Sequence, residues 1–174
     1  KMEKNHFETN AIRAQLERSD YNEHSVPLYL TSSFVFDTAE DMRAAFNDEV
    51  DAHIYSRYTN PNNSEFVNKV CLMEGAEAGV AMASGMAAIY TTFMALLKSG
   101  DHVVSCSSVF GATHALFTKY FPKLNISHSY FSIKSVNELE KLIKPETRFI
   151  YLETPTNPAI ELIDLEFVAT IAKK

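Results

Sequence analysis

Three short loops in this sequence combine the residue types that hold an anion and a flat ring. The first is Met82-Ala83-Ser84-Gly85-Met86, where an apolar run passes through serine and glycine into a helical pattern. Glycine lets a backbone N–H come close to an anion, serine adds a hydroxyl, and the aligned helix dipoles favour negative charge there. A phosphate suits such a place, although Ser-Gly ahead of a helix also serves as a plain N-cap and tight turn. The second loop, Ser107-Ser108-Val109-Phe110-Gly111, sets an aromatic ring beside a glycine. That ring is placed to stack on a flat ligand or, equally, to cover the core. The third, Glu153-Thr154-Pro155-Thr156-Asn157-Pro158, is stiffened by two prolines, and Asn157 carries both donor and acceptor groups. It also reads as no more than a rigid turn. Upstream, Ile54-Tyr55-Ser56-Arg57-Tyr58-Thr59-Asn60-Pro61 flanks Arg57 with tyrosines. A guanidinium fork and a phenol hold phosphate well, and a surface arginine packed on tyrosines accounts for the same residues.

Something must bring those loops to one edge, and the hydrophobic pattern supplies it. From Ala78 onward strands and helices alternate. Short apolar runs at Gly79–Met82, His102–Ser105, Ile126–Phe131 and Phe149–Glu153 read as strands. Between and after them, helical spacing marks Gly85–Leu97, Thr113–Tyr120, Val136–Ile143 and Leu165–Lys174, with Gly100 and Pro122 as stop signals. Successive strand–helix units require a mostly parallel sheet with helices on both faces. In such sheets ligands sit outside the carboxyl ends of the strands, where all three loops fall. The last helix has no strand after it, and Ala172-Lys173-Lys174 carry no cap, so the sheet is expected to be incomplete in this chain.

Before the sheet the pattern is looser. Asn10–Glu17 has the length of a short helix, and Val26–Phe36 reads as extended chain. Thr38, with Asp41 three residues on, looks like the N-cap of a helix through Phe46, and a further helix is expected from Asn63 or Ser64 to Glu74. Residues 1–55 are thus read as an N-terminal extension and 56–174 as the first part of the sheet domain.

Composition narrows the function classes. With 174 residues, 46% apolar and 22% charged, the chain is long enough for a sizeable core and too apolar for disorder. A net charge of −6 without a basic stripe argues against nucleic acid and anionic membranes. The opening residues lack the apolar core of a signal peptide, and no run is long enough to span a bilayer. Cys71 and Cys106 stand apart, outside any redox or zinc spacing, and suit a cytoplasmic protein with reduced thiols. The histidines form no i,i+4 pair, so no metal is expected.

The order and spacing of these segments say more than any one of them. Tyr55-Ser56-Arg57, Glu74-Gly75-Ala76-Glu77-Ala78, Ala83-Ser84-Gly85-Met86-Ala87-Ala88, Val109-Phe110-Gly111 and Glu153-Thr154-Pro155-Thr156-Asn157-Pro158 together resemble the Cys/Met-metabolism enzymes that depend on pyridoxal 5'-phosphate (PLP). The resemblance runs from about Thr9 to the last residue. It implies the α/β large domain of the aspartate-aminotransferase-like PLP transferases (fold type I). It also implies that Gly85 and Met86 donate backbone N–H groups to the cofactor phosphate, beside Ser84. Tyr55 and Arg57 would reach a neighbouring subunit's phosphate, Phe110 would stack on the pyridine ring, and Glu153 and Asn157 would line the cofactor side of the pocket. A shared phosphate site implies a dimer at least, and tetramers are common in the family.

Two departures from the family pattern matter. The stacking position is often tyrosine, and Phe110 keeps the ring while losing the hydroxyl associated with proton transfer in the lyases. Within the family, Ser108–His114 and Phe117–Pro122 look most like the O-succinylhomoserine sulfhydrylases, which replace the γ-substituent of an activated homoserine with sulfide. Cystathionine γ-synthase and the methionine or cystathionine γ-lyases are the near alternatives, and a non-catalytic phosphate-binding fragment is the distant one. The second departure is that the family's Schiff-base lysine lies beyond Lys174, so no residue here is assigned the catalytic role.

Overall fold

The apolar runs near residues 102, 127 and 149 do become strands. A computed structural model describes residues 6–15 and 18–174. In it β1 (His102–Cys106), β2 (Ser127–Phe131) and β3 (Thr147–Tyr151) form a parallel sheet of order β2-β1-β3. The sheet belongs to the second of two compact units, which runs from Met82 to Lys174; the first ends at Ala81.

Alternation along β1 sends side chains to opposite faces and gives the sheet two cores. Val103 faces one way, with Phe93 of α4 (Gly85–Leu96), Leu116, Phe117, Phe121 and, from the strands, Tyr130, Phe149 and Tyr151. Phe93 lies at the centre, its ring 5.3 to 5.5 Å from those of Phe117, Phe121, Phe149 and Tyr151. Val104 and Cys106 face the other way, against Phe131, Ile150 and Leu139 of α6 (Leu139–Leu142), with Val168 and Ile171 of α7 (Leu165–Ala172). Helices therefore cover both faces, as expected. At the start of β1 the buried His102 ring ties the strands together: Nδ1 lies 2.8 Å from Thr147 Oγ1 and Nε2 3.0 Å from Ser129 Oγ. Burial, helped by Lys144, pushes its pKa down, so the ring is held neutral.

Several expected elements shift. Gly79–Met82 is not a strand: Val80 is 80% exposed and the segment pairs with none of the described strands. A strand exists only through its ladder, and an apolar run without a neighbour stays extended and solvated. The helix expected at Thr113–Tyr120 starts earlier, as α5 (Gly111–Ala115), and continues through a wide π turn (Leu116–Tyr120) into a 3-10 turn (Phe121–Leu124). Pro122 does not stop it, because proline's missing N–H is harmless in the first positions of that tighter turn. The helix expected at Val136–Ile143 begins as a 3-10 turn (Ile133–Glu138) before α6.

In the first unit α1 spans Phe7–Arg13 instead of Asn10–Glu17; of the expected stretch, Leu16 and Glu17 lie outside the described residues. Ahead of α2 (Ala39–Phe46), the Thr38 hydroxyl accepts the Asp41 N–H at 3.1 Å, the cap its spacing suggested. The next helix, α3 (Pro61–Glu74), starts before Asn63 because Pro61 occupies its first position, where an N–H would be unpaired anyway. Asn60 caps it, and Gly75 ends it with φ of 64°. The extended segment is held by polar side chains. Asn62 donates Nδ2 to Pro27 O at 2.6 Å and accepts Tyr29 N–H at 2.8 Å, while Asn60 Nδ2 donates to Tyr29 O at 3.1 Å.

Candidate functional site

The chain runs from β1 outward to β2, then crosses back to β3 on the other side of β1. That reversal opens a crevice at the carboxyl ends of β1 and β3, the place where open α/β sheets take their ligands. Two candidate residues meet there. Phe110, after β1, donates its backbone N–H to Glu153 Oε2 at 2.8 Å, and Glu153 follows β3. The other oxygen, Oε1, accepts from Thr113 Oγ1 at 3.1 Å and from the Tyr151 hydroxyl at 3.0 Å. Burial, then the charge of Glu153 and the hydrogen bond to it, pushes the Tyr151 pKa up to about 12, so this phenol stays a donor. The Phe110 side chain remains 49% exposed, a ring offered to solvent at the rim.

The same cluster reaches α4. Thr113 is buried, and its Oγ1 also lies 4.0 Å from Met86 Sδ. Ser84 is the N-cap of α4, its Oγ accepting the Ala87 N–H at 3.1 Å. Ala88 N–H bonds Ser84 O, and no hydrogen bond among the described residues takes up the N–H of Gly85 or Met86, as helix geometry leaves the first donors free. A Cβ at Gly85 would meet no atom within 4 Å. The helix start therefore offers two free donors, the positive end of the dipole and open space.

Asn157 lies in the loop that leaves Glu153, and that loop is braced by threonines. Thr154 Oγ1 accepts Ile163 N–H at 3.2 Å; the buried Thr156 accepts Glu161 N–H on its hydroxyl and Ile160 N–H on its carbonyl, at 3.0 and 2.8 Å. Asn157 itself is exposed, and no hydrogen bond among the described residues engages its side chain. Tyr55 and Arg57 belong to the other unit. There an antiparallel bridge joins Ser33 to Tyr55, a turn returns Tyr58 N–H to Tyr55 O at 2.8 Å, and the Arg57 guanidinium lies 4.4 Å from the Tyr55 ring centre and 5.3 Å from that of Tyr58. Its cationic plane is stacked while its N–H edge stays exposed to solvent. Among the described residues no three His, Cys, Asp or Glu side chains gather as a metal site would need, both cysteines are free, and no helix is long and apolar enough to cross a membrane.

Sheet order, a free helix start and a rim phenylalanine give this chain the geometry of an α/β protein whose topological switch point is suited to a flat, phosphorylated ligand. It belongs to the Cys/Met metabolism PLP-dependent enzyme family, whose model matches residues 8–174. Over 166 residues it is 45% identical to the O-succinylhomoserine sulfhydrylase of Pseudomonas aeruginosa, covering 95% of this chain and 41% of that enzyme. Over 171 residues it is 37% identical to the L-methionine gamma-lyase of Fusobacterium nucleatum subsp. nucleatum, covering 98% and 43%. Among solved structures, a putative O-acetylhomoserine (thiol)-lyase of Campylobacter jejuni, crystallised with N'-pyridoxyl-lysine-5'-monophosphate at its position 205, superposes with a TM-score of 0.88 at 31% identity, over 96% of this chain and 41% of that one. The chain thus spans about two fifths of the length of the relatives it matches.

The residues present fit that family's cofactor. Free Gly85 and Met86 N–H groups beside open space suit a phosphate, and the half-exposed Phe110 ring suits a pyridine. The sequence pattern singled out Glu153 and Phe110 and missed what joins them. Thr113 and Tyr151 read as ordinary helix and strand residues, and Thr154 and Thr156 as filler between prolines. A hydroxyl in every one of the four positions is the signal available in the sequence.

Proposed function

We propose that this chain supplies part of the PLP cradle of a transferase that replaces the γ-substituent of an activated homoserine, with O-succinylhomoserine as substrate and sulfide as nucleophile. Homocysteine and succinate would be the products. The observation that carries this reading is the 45% identity to an O-succinylhomoserine sulfhydrylase across nearly the whole chain. Phe110 agrees with it: a ring without a hydroxyl stacks but moves no proton. The bound cofactor supplies an electron sink for the bonds broken and made on the substrate.

This chain's own groups bind and orient the cofactor. Ser84 fixes the start of α4, so that the Gly85 and Met86 N–H groups face the phosphate already oriented. Phe110 holds the ring plane, and Asn157 offers its amide to the ring's hydroxyl. Tyr55 and Arg57 would serve the phosphate of a neighbouring subunit, which makes the working form a dimer at least, a tetramer by analogy with the family, in the cytoplasm. The lysine that holds the cofactor is assigned to the part of the family's length that this chain does not span. A γ-lyase is the second reading, favoured by the 37% identity to an L-methionine gamma-lyase. Product analysis separates the two. Homocysteine from O-succinylhomoserine and sulfide, with little 2-oxobutanoate from methionine, is expected; ready 2-oxobutanoate release would replace the first reading with the second.

A further inference from the structure

We infer that Glu153 is a positioning residue, not a contact of the cofactor: its carboxylate ties the Phe110 backbone N–H and the hydroxyls of Thr113 and Tyr151 into one brace that sets the plane of the stacking ring. The inference rests on the cofactor reading above for what the ring holds, though not for the brace itself.

A carboxylate has about four lone-pair positions, and three of these are taken. Oε1 receives both hydroxyls and Oε2 receives the Phe110 N–H, all within 2.8 to 3.1 Å. Those donors come from three places: the loop after β1, the helix that follows it, and the end of β3. No ion pair among the described residues neutralises Glu153. The charge is met by oriented neutral dipoles, which hold an anion in place without leaving it available to a ligand. Thr113 Oγ1, whose proton goes to Glu153, also lies 4.0 Å from Met86 Sδ, so the braced side chain packs against the start of α4. Side chains held this way lose little entropy when a ligand arrives, which is how a site gains precision from groups that never touch the ligand.

The family resemblance implies a pocket-lining role for Glu153, and the following tests separate that role from this one. Glu153→Ala removes the brace. Glu153→Gln keeps an oxygen for Phe110 N–H and an amide for the two hydroxyls, since each hydroxyl also accepts. Hydrogen exchange of the protein without added cofactor, read over residues 107–113, should rise about tenfold in Glu153→Ala, as loss of a charge-assisted bond implies, and stay within about threefold in Glu153→Gln. In the holoprotein the visible circular-dichroism band of bound PLP should weaken in Glu153→Ala and recover in Glu153→Gln. Should Glu153→Ala not fold, Thr113→Val tests the same brace, with a rise of about threefold expected. Unchanged exchange in the alanine variant, or in Thr113→Val where that stands in for it, would overturn the inference. So would an affinity for PLP that falls equally in the alanine and glutamine variants. A parent protein that shows no PLP band would sink the cofactor reading instead, and the exchange result would still judge the brace.

Discussion

The two compact units of this molecule are held by different means. From Met82 on, the chain buries large apolar side chains on both faces of a parallel sheet, with Phe93, Phe117, Phe121, Phe131 and Leu139 almost wholly enclosed. Up to Ala81 the only buried apolar residues among those described are Ala14 and Ala45, while Leu30 is 90% and Val35 97% exposed. What holds that unit is a set of side-chain bonds to backbone, from Asn60, Asn62 and Thr38. One unit is stabilised by area removed from water, the other by oriented polar bonds that fix a shape without a core. The candidate site residues are divided along the same line. Phe110, Glu153 and the start of α4 stand on the cored unit, where rigid elements hold them. Arg57 and Tyr55 stand on the one whose apolar surface is still open.

Substitutions can break that contrast from either side. Phe93→Ala should have the largest effect, about 3–5 kcal/mol of lost stability, because it empties the centre of an aromatic cluster. Chemical denaturation followed by far-ultraviolet circular dichroism measures it, and a loss below about 1 kcal/mol would mean the cluster is not the core. Asn62→Ala should cost about 1–3 kcal/mol and act locally, since it leaves Tyr29 N–H and Pro27 O without partners. Faster hydrogen exchange around residues 27–31, with the strands unaffected, is the expected pattern; a change spread over β1 to β3 would deny the division.

Acid separates the units in another way. Burial depresses the pKa of His102 and, with His114 nearby, of His128, both in the sheet unit. A folded-state pKa below the unfolded one means that the unfolded chain binds the proton first. Their contribution is therefore complete above the ordinary histidine value of 6.5 and is lost as the pH falls through the depressed values. In the first unit, bonds from Ser19 and Gln15 lower Glu23 to about 2, so that contribution is complete above 4.5 and lost as the pH falls toward about 2. Amide signals of β1 to β3, followed by NMR during acidification, should respond in the upper window and those near Ser19 in the lower one. Strand signals that move only with those of Ser19 would contradict it. The smallest effect belongs to Leu30→Ser, within about 0.5 kcal/mol, as expected where an apolar side chain is already in water; a larger loss would show that Leu30 is covered.

How far the sequence could be read follows the same physics. Strands β1 to β3 and most helices were legible, because their signals are local: apolar runs, caps at Thr38 and Ser84, and a stop at Gly100. Gly79–Met82 looked like a strand and is not, because a ladder depends on neighbours that a local run does not disclose. Phe110 and Glu153 were legible as residue types in suggestive loops. Their bond spans 43 positions, and the buried Thr113 and half-buried Tyr151 that complete it have nothing unusual around them in sequence. Asn62 was hidden for the same reason, since its partners Pro27 and Tyr29 lie more than thirty residues away.

The central claim, that the start of α4 holds the cofactor phosphate, is tested most directly by Gly85→Ala. A Cβ there meets nothing in this chain, and alanine is a better helix former than glycine. The protein without cofactor should therefore melt at the same temperature or slightly higher, while its affinity for PLP, titrated by absorbance, should fall by about tenfold or more, about 1.4 kcal/mol. Unaltered PLP affinity in a stably folded Gly85→Ala protein would show that the phosphate lies elsewhere and would contradict this account of the site.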